Sequence, residues 1–261
     1  MLALIYAVVI LVATTLGSFV GLGGGVIIKP ILDFIGEEPR AQVDFLSCVA
    51  VFTMSIVSTG KQIKNKVSFD KSIIIFLAAG SVAGGFFGKF CMDLLGNSFA
   101  QENIRCIQAF VLAVLLLSVC IYVSKQRFSF RVKNPAAICA VGLLLGFIAS
   151  FLGIGGGPIN VAVLTLFFSM NVKESAVYSV AIIFFSQLSK LITIFASDGI
   201  SAYLHQWKTL IFILPAAILG GIIGSKLNRK FDDKLIRKTF TAVMVLLVIL
   251  NVYNGISYLA L

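Results

Sequence analysis

Apolar runs of about 18 residues or more, parted by short charged stretches, recur along the whole chain, and that is the length an α-helix needs to cross a hydrocarbon core about 30 Å thick. Inside lipid the backbone must satisfy its own polar groups, which leaves helices as the fold class for segments of this length. Composition agrees. The chain is 59% hydrophobic and 12% charged, where a soluble globular protein has about 45–50% and about 25%, so too little polar surface exists to cover a water-soluble core. An all-α polytopic membrane protein is therefore expected, with the lipid bilayer as its first partner. The formal charge of +10 does not point to nucleic acid, because the Lys and Arg residues sit between apolar runs and form no polar recognition face interleaved with aromatics. The opening MLALIYAVVILVATTLG has no basic leader and no small-residue cleavage site before the apolar run continues, and it reads as a retained helix.

The chain repeats itself. LGSFVGLGGG at 16–25 returns as IASFLGIGGG at 148–157, with Ser18/Ser150, Phe19/Phe151, Gly21/Gly153 and the three following glycines identical at an offset of 153 − 21 = 132. The same offset pairs Ser47 with Ser179, Phe52 with Phe184, and Ile104-Arg105 with Ile236-Arg237. A further match, AGGFFGKF at 83–90 against LGGIIGSKL at 219–227, needs a shift of four. Two related halves are expected, residues 1–124 and 136–261, joined by a basic cytoplasmic linker at 125–135 that contains Lys125, Arg127, Arg131 and Lys133.

Each half reads as four apolar segments: 1–35, 45–59, 72–90 and 105–123 in the first, and 136–168, 175–196, 208–225 and 238–259 in the second. The leading segment of each half is the odd one. About 33 residues of helix would be near 50 Å long, too long for one straight crossing, and the GLGGG and GIGGG runs inside it lower helix stability by about 1 kcal/mol per glycine. A break is expected there. Loop charge separates two topologies, because cytoplasmic loops gather Lys and Arg. If all eight segments cross, the stretch 226–238, with six basic residues and two Asp, lies opposite the basic loops 61–71 and 125–133. If the leading segments are re-entrant and enter and leave on one face, the second half is inverted and all three basic loops share the cytoplasm. The inverted arrangement fits the charges better and is common in transporters.

Irregular backbone at membrane depth is tolerated only where it is buried in protein or lines a wet cavity. The glycine loops are therefore the first candidate site, since a run such as Gly23-Gly24-Gly25 leading into a helix presents free N–H groups and a positive dipole end to an anion. The plainer reading is close helix packing through small residues, which suits the later groups Gly84-Gly85-Gly88 and Gly220-Gly221-Gly224 better. Charged residues inside apolar segments are functional candidates. Lys29 follows the first glycine loop by four residues, and Lys190 sits beside Ser186, Gln187 and Ser189. Either ammonium would suit an anionic substrate; the alternatives are an i,i+4 pair of Lys29 with Asp33 and snorkelling of Lys190. Asp33, Asp44 and Glu174 are the carboxylates nearest the glycine segments, as candidates for coupling to a proton or as markers of helix ends at the interface.

The rest of the chain offers little chemistry. Five cysteines are scattered without metal-like spacing and read as small apolar filler. The single His205 has no second ligand near it in sequence, so no metal and no cofactor are expected. No GxSxG, HExxH or Walker motif occurs, and no enzyme activity or internal ATPase is expected.

SFVGLGGGVIIKPIL and SFLGIGGGPINVAVL resemble the paired SxxGxGGG-type motifs of the sulfite exporter TauE/SafE family, also called the TSUP transporters, and the likeness spans nearly the whole chain. The resemblance implies a multi-pass permease of a bacterial or archaeal inner membrane, with sulfur oxyanions and organosulfonates as the substrate class. Carried over residue by residue, the family's glycine loops fall on Gly21, Gly23, Gly24 and Gly25 and on Gly153, Gly155, Gly156 and Gly157. Lys29, Lys190, Ser47, Ser179 and Gln187 complete the candidate substrate-binding set. This chain departs from symmetry by having Lys29-Pro30 where the second copy has Val161-Ala162, and Pro158 where the first has Val26. The competing expectation is a membrane-embedded scaffold or accessory subunit without transport of its own.

Overall fold

The computed structural model describes residues 2–36, 39–66, 70–98, 101–125, 128–152, 156–199, 203 and 206–259, and among these the regular structure is helical throughout. Before the basic linker run α1 (Leu2–Val20), α2 (Gly25–Ile35), α3 (Arg40–Lys64), α4 (Lys71–Ser98) and α5 (Gln101–Lys125). After it come α6 (Pro135–Leu152), α7 (Gly157–Phe168), α8 (Val172–Asp198), α9 (Trp207–Lys230) and α10 (Asp233–Leu259). Eight of these helices are long and apolar enough to cross a bilayer, and α2 and α7 are the short ones. The protein is thus a multi-pass helical membrane protein. Each long leading segment is divided at its glycine run, but unequally: α1 and α6 are long enough to cross alone, while α2 and α7 have 11 and 12 residues.

Helix ends follow local chemistry. Asp70 Oδ1 accepts from the N–H groups of Ser72 and Ile73 to open α4, Asn171 Oδ1 accepts from Glu174 N–H to open α8, and Asp232 Oδ1 accepts from Leu235 N–H to open α10; caps of this kind satisfy amides that no helical carbonyl can reach. Gly36, at φ 71°, closes α2 by donating its N–H to Leu32 O.

Two pairs of helices pack most intimately, α4 with α6 and α1 with α9. Both contacts run parallel: Gly80, Gly84 and Gly88 meet Cys139, Leu143 and Phe147 in step, and Gly220 and Gly224 meet Leu11 and Thr15 in step. A Cβ at Gly84 would overlap the Leu143 carbonyl, and one at Gly146 would overlap the Ser81 carbonyl. Without a hydrophobic force between helices in lipid, such backbone approach is how they gain contact.

The central crossing is antiparallel. Along α3 and α8, Phe52 stacks on Phe184 at 5.5 Å, Cys48 meets Gln187 O, and Asp44 approaches Lys190. Phe52 and Phe184 occupy the same register of the sequence repeat. Where α1 and α9 end, the packing is closed: Asn228 Nδ2 donates to Phe19 O at 2.8 Å, Phe231 lies edge-on to Phe19, and Lys173 donates to Phe231 O from its Nζ and to Asp233 Oδ1 from its backbone. Outer faces of the long helices leave Leu4, Phe87, Leu144 and Leu246 more than half exposed, an apolar belt too extensive for water and suited to lipid.

Candidate functional site

The first glycine break turns the chain back on itself. Gly21, Gly23 and Gly24 have φ of 81°, 77° and 72°, a left-handed run that L side chains resist. Gly23 N–H donates to Gly17 O at 3.2 Å, and Gly24 lies against Ala13, Thr14 and Gly17 of α1. Gly24 is also the N-cap of α2, with no side-chain cap bond; the Gly25 N–H donates to Gly23 O and the Ile27 and Ile28 N–H groups to Gly24 O, so backbone carbonyls satisfy most of this first turn and the positive dipole end remains. Where the second break enters α7, the same kind of cap recurs. Gly156, at φ 83°, is the N-cap of α7, again without a side-chain cap bond, and Pro158 stands in the first turn, where its missing N–H costs nothing.

The two breaks touch. Gly157 lies directly on Leu22, so that a Cβ there would overlap the Leu22 carbonyl. Ser179 of α8, fully buried, donates from Oγ to Gly21 O at 2.7 Å and has Gly157 O 3.4 Å away. Gly21 packs on Ala176 and Gly23 on Ile183. These glycines and Ser179 therefore hold the turns together at the centre of the fold.

Open space lies beside this junction, at the start of α2. A crevice of about 60 Å³ is lined by Gly25, Val26, Lys29, Pro30 and Asp33 of α2, Gln108, Ala109 and Leu112 of α5, Leu152 of α6, and Asn251, Asn254 and Tyr258 of α10. On the measure by which one water takes about 10–15 Å³, it admits a few waters or one small polyatomic ion. Its polar lining combines the α2 amino end, the Lys29 ammonium, the Asp33 carboxyl group and the amides of Gln108, Asn251 and Asn254. Gln108 Nε2 donates to Phe151 O and Asn251 Nδ2 to Leu247 O, which fixes how both amides are turned. The crevice lies along the last turns of α10, at the opposite end of that helix from the closed junction of Phe19, Asn228 and Phe231.

The lysines converge. Lys29 Nζ is 2.7 Å from Asp44 Oδ1, and Lys190 Nζ is 3.9 Å from the same oxygen. Lys29 thus forms an ion pair with Asp44 on α3, across helices. Lys29 lines the crevice and is also paired with Asp44, which does not line it. Glu174 lies in the first turn of α8 at a capped helix end.

Of the sequence-derived candidates, Gly25 and Lys29 line the crevice, and Lys190 reaches it through Asp44. Gly21, Gly23, Gly24, Gly156, Gly157 and Ser179 build the junction behind it. Ser47 and Gln187 are buried in α3 and α8, and Gln187 O accepts from Cys48 Sγ. Gly153, Gly155 and His205 lie outside the described residues. Sequence reading passed over Gln108, Asn251, Asn254 and Tyr258. A signal for them existed in the repeat: 132 residues away, Lys29, Gln108 and Asn251 are matched by Val161, Phe240 and Val119, all buried in the apolar core. Polar residues stand at those positions in one copy alone.

The family model described as sulfite exporter TauE/SafE matches residues 6–251. The chain is 28% identical to the probable membrane transporter protein YunE of Bacillus subtilis, over 94% of this chain and 96% of the relative. It is 25% identical to the probable membrane transporter protein MJ0441 of Methanocaldococcus jannaschii, over 88% of this chain and 87% of the relative. No solved structure matches the chain significantly.

Proposed function

Since the chain belongs to the sulfite exporter TauE/SafE family of membrane transporters, we propose that it is a secondary permease of the cell membrane, moving a small anion, a sulfur oxyanion or organosulfonate, by alternating access. The observation that carries this reading is the crevice at the α2 amino terminus, where a helix dipole end, Lys29 and three amide side chains meet in one small space. Helix amino ends and ammonium groups both favour an anion, and discontinuous helices at a repeat interface are where transporters bind. A scaffold without transport would fill this space with apolar side chains, as the second half does with Val161, Phe240 and Val119. The closed junction at one end and the crevice toward the other fit one of the two states that alternating access requires. Asp33, lining the same crevice, is the carboxylate placed to carry a proton with the anion.

Binding tests the reading. A ligand that prefers the folded state stabilises it by about 2.7 kcal/mol at a hundred times its Kd. Sulfite, thiosulfate and a small sulfonate, added singly to the detergent-solubilised protein, are therefore expected to include at least one that raises its melting temperature saturably where chloride does not. Equal, non-saturating effects of every salt would remove the site.

The antiparallel crossing of α3 and α8 and the basic loops support an inverted relation between halves 1–124 and 136–261, with the linker 125–135 in the cytoplasm. Both chain ends then lie outside. A reporter active only in the cytoplasm, fused after Leu261, is expected to stay silent, and a strong signal would refute the inversion.

A further inference from the structure

Resting on the crevice as the anion site, we propose that Asp44 is a built-in stand-in for the substrate, which holds Lys29 while the crevice is empty and passes to Lys190 when the anion arrives. Three observations converge on this exchange. Lys29 lines the crevice and has Asp44 Oδ1, of a residue outside the lining, at 2.7 Å. The same oxygen already has Lys190 Nζ at 3.9 Å, short of a full contact but within reach of a carboxylate rotation. Lys29 is the most enclosed of the three, at 13% exposure against 27% for Asp44 and 33% for Lys190, so its charge needs a partner in both the empty and the loaded state. Asp44 fills that need when no anion is bound.

An anion entering the crevice competes with Asp44 for the Lys29 ammonium. Once displaced, the carboxylate closes on Lys190, and no charge is left bare: Lys29 is paired with the anion, and Lys190 with Asp44. The exchange is also mechanical. Lys29 belongs to α2, Asp44 to α3 and Lys190 to α8, so moving the ion pair from α2–α3 to α3–α8 tightens the antiparallel crossing between the halves at the moment of loading. Lys190 thereby acts on the substrate through Asp44 and is a positioning residue.

Opposite signs test this. Anion affinity is measured by titration of the purified full-length protein, using the anion that stabilises the wild type. Asp44→Asn, which removes the competitor, is expected to tighten binding about tenfold, and Lys190→Met, which removes the destination, to weaken it by a similar factor. In the double variant Asp44→Asn/Lys190→Met the second change should add nothing, because an amide needs no ammonium to receive it. Should Asp44→Asn not fold, Lys190→Met against Lys190→Arg decides alone, with arginine retaining wild-type affinity. Weaker or unchanged binding in folded Asp44→Asn, or unchanged binding in Lys190→Met, overturns the exchange while leaving the crevice site standing. Absence of binding by the wild type overturns both.

Discussion

Gly157→Val is expected to abolish transport while leaving insertion in the membrane intact. A Cβ at this position meets the carbonyl, carbonyl carbon and Cα of Leu22, which are backbone and have no rotamer by which to yield. The two glycine breaks must then separate, and the Ser179 hydroxyl that ties Gly21 O near Gly157 O loses its geometry. Overpacking a core costs about 1–3 kcal/mol and a lost hydrogen bond about 1 kcal/mol more, so a drop in stability of roughly 2–4 kcal/mol accompanies the loss of flux. The apolar helices that direct insertion are untouched. Gly60→Ala is the matched control, because nothing lies within 4 Å of a Cβ there and alanine is the better helix former by about 1 kcal/mol. It should transport normally and melt no lower than wild type. Normal flux and unchanged melting in Gly157→Val would show that the contact of the breaks is incidental.

Lys29→Met should cut anion affinity by about 10- to 150-fold, the equivalent of one charge-assisted hydrogen bond of about 1.5–3 kcal/mol. Stability should suffer less than the usual 3–5 kcal/mol for stripping one partner from a buried ion pair, because Asp44 still has Lys190 nearby. Lys29→Arg keeps the charge on a different shape and should lie between the two. Titration of each variant reads the affinity, and melting in the absence of ligand reads the stability separately. A methionine variant that binds as tightly as wild type would move the anion away from Lys29.

The fold class was legible because its cause is local. Runs such as AFVLAVLLLSVCIYV need lipid whatever they pack against, and a glycine triplet interrupts a helix in any context. The offset of 132 residues between copies pairs Phe52 with Phe184 in sequence, but carries no information that their rings stack. The site was legible only where its residues violate local expectation. Lys29 and Lys190 stood out as charges in apolar runs, whereas Gln108 and Asn251 are ordinary polar residues within helices and reveal themselves only beside Phe240 and Val119 in the other copy. That Lys29 pairs with Asp44 depends on how α3 packs against α2. Helical spacing within α2 carries no information about that. The unequal arms of the broken segments, by contrast, can be counted from the position of the glycines.

Flux decides the central claim most directly. Purified wild-type protein and its Lys29→Met variant, sealed in separate vesicles, are loaded or challenged with labelled sulfite, thiosulfate or a small sulfonate, with and without a proton gradient. Saturable movement of at least one anion by the wild type, lost in the methionine variant, is the expected result. Vesicles of the wild type that pass none of these anions faster than protein-free lipid would contradict it and return the chain to the scaffold reading.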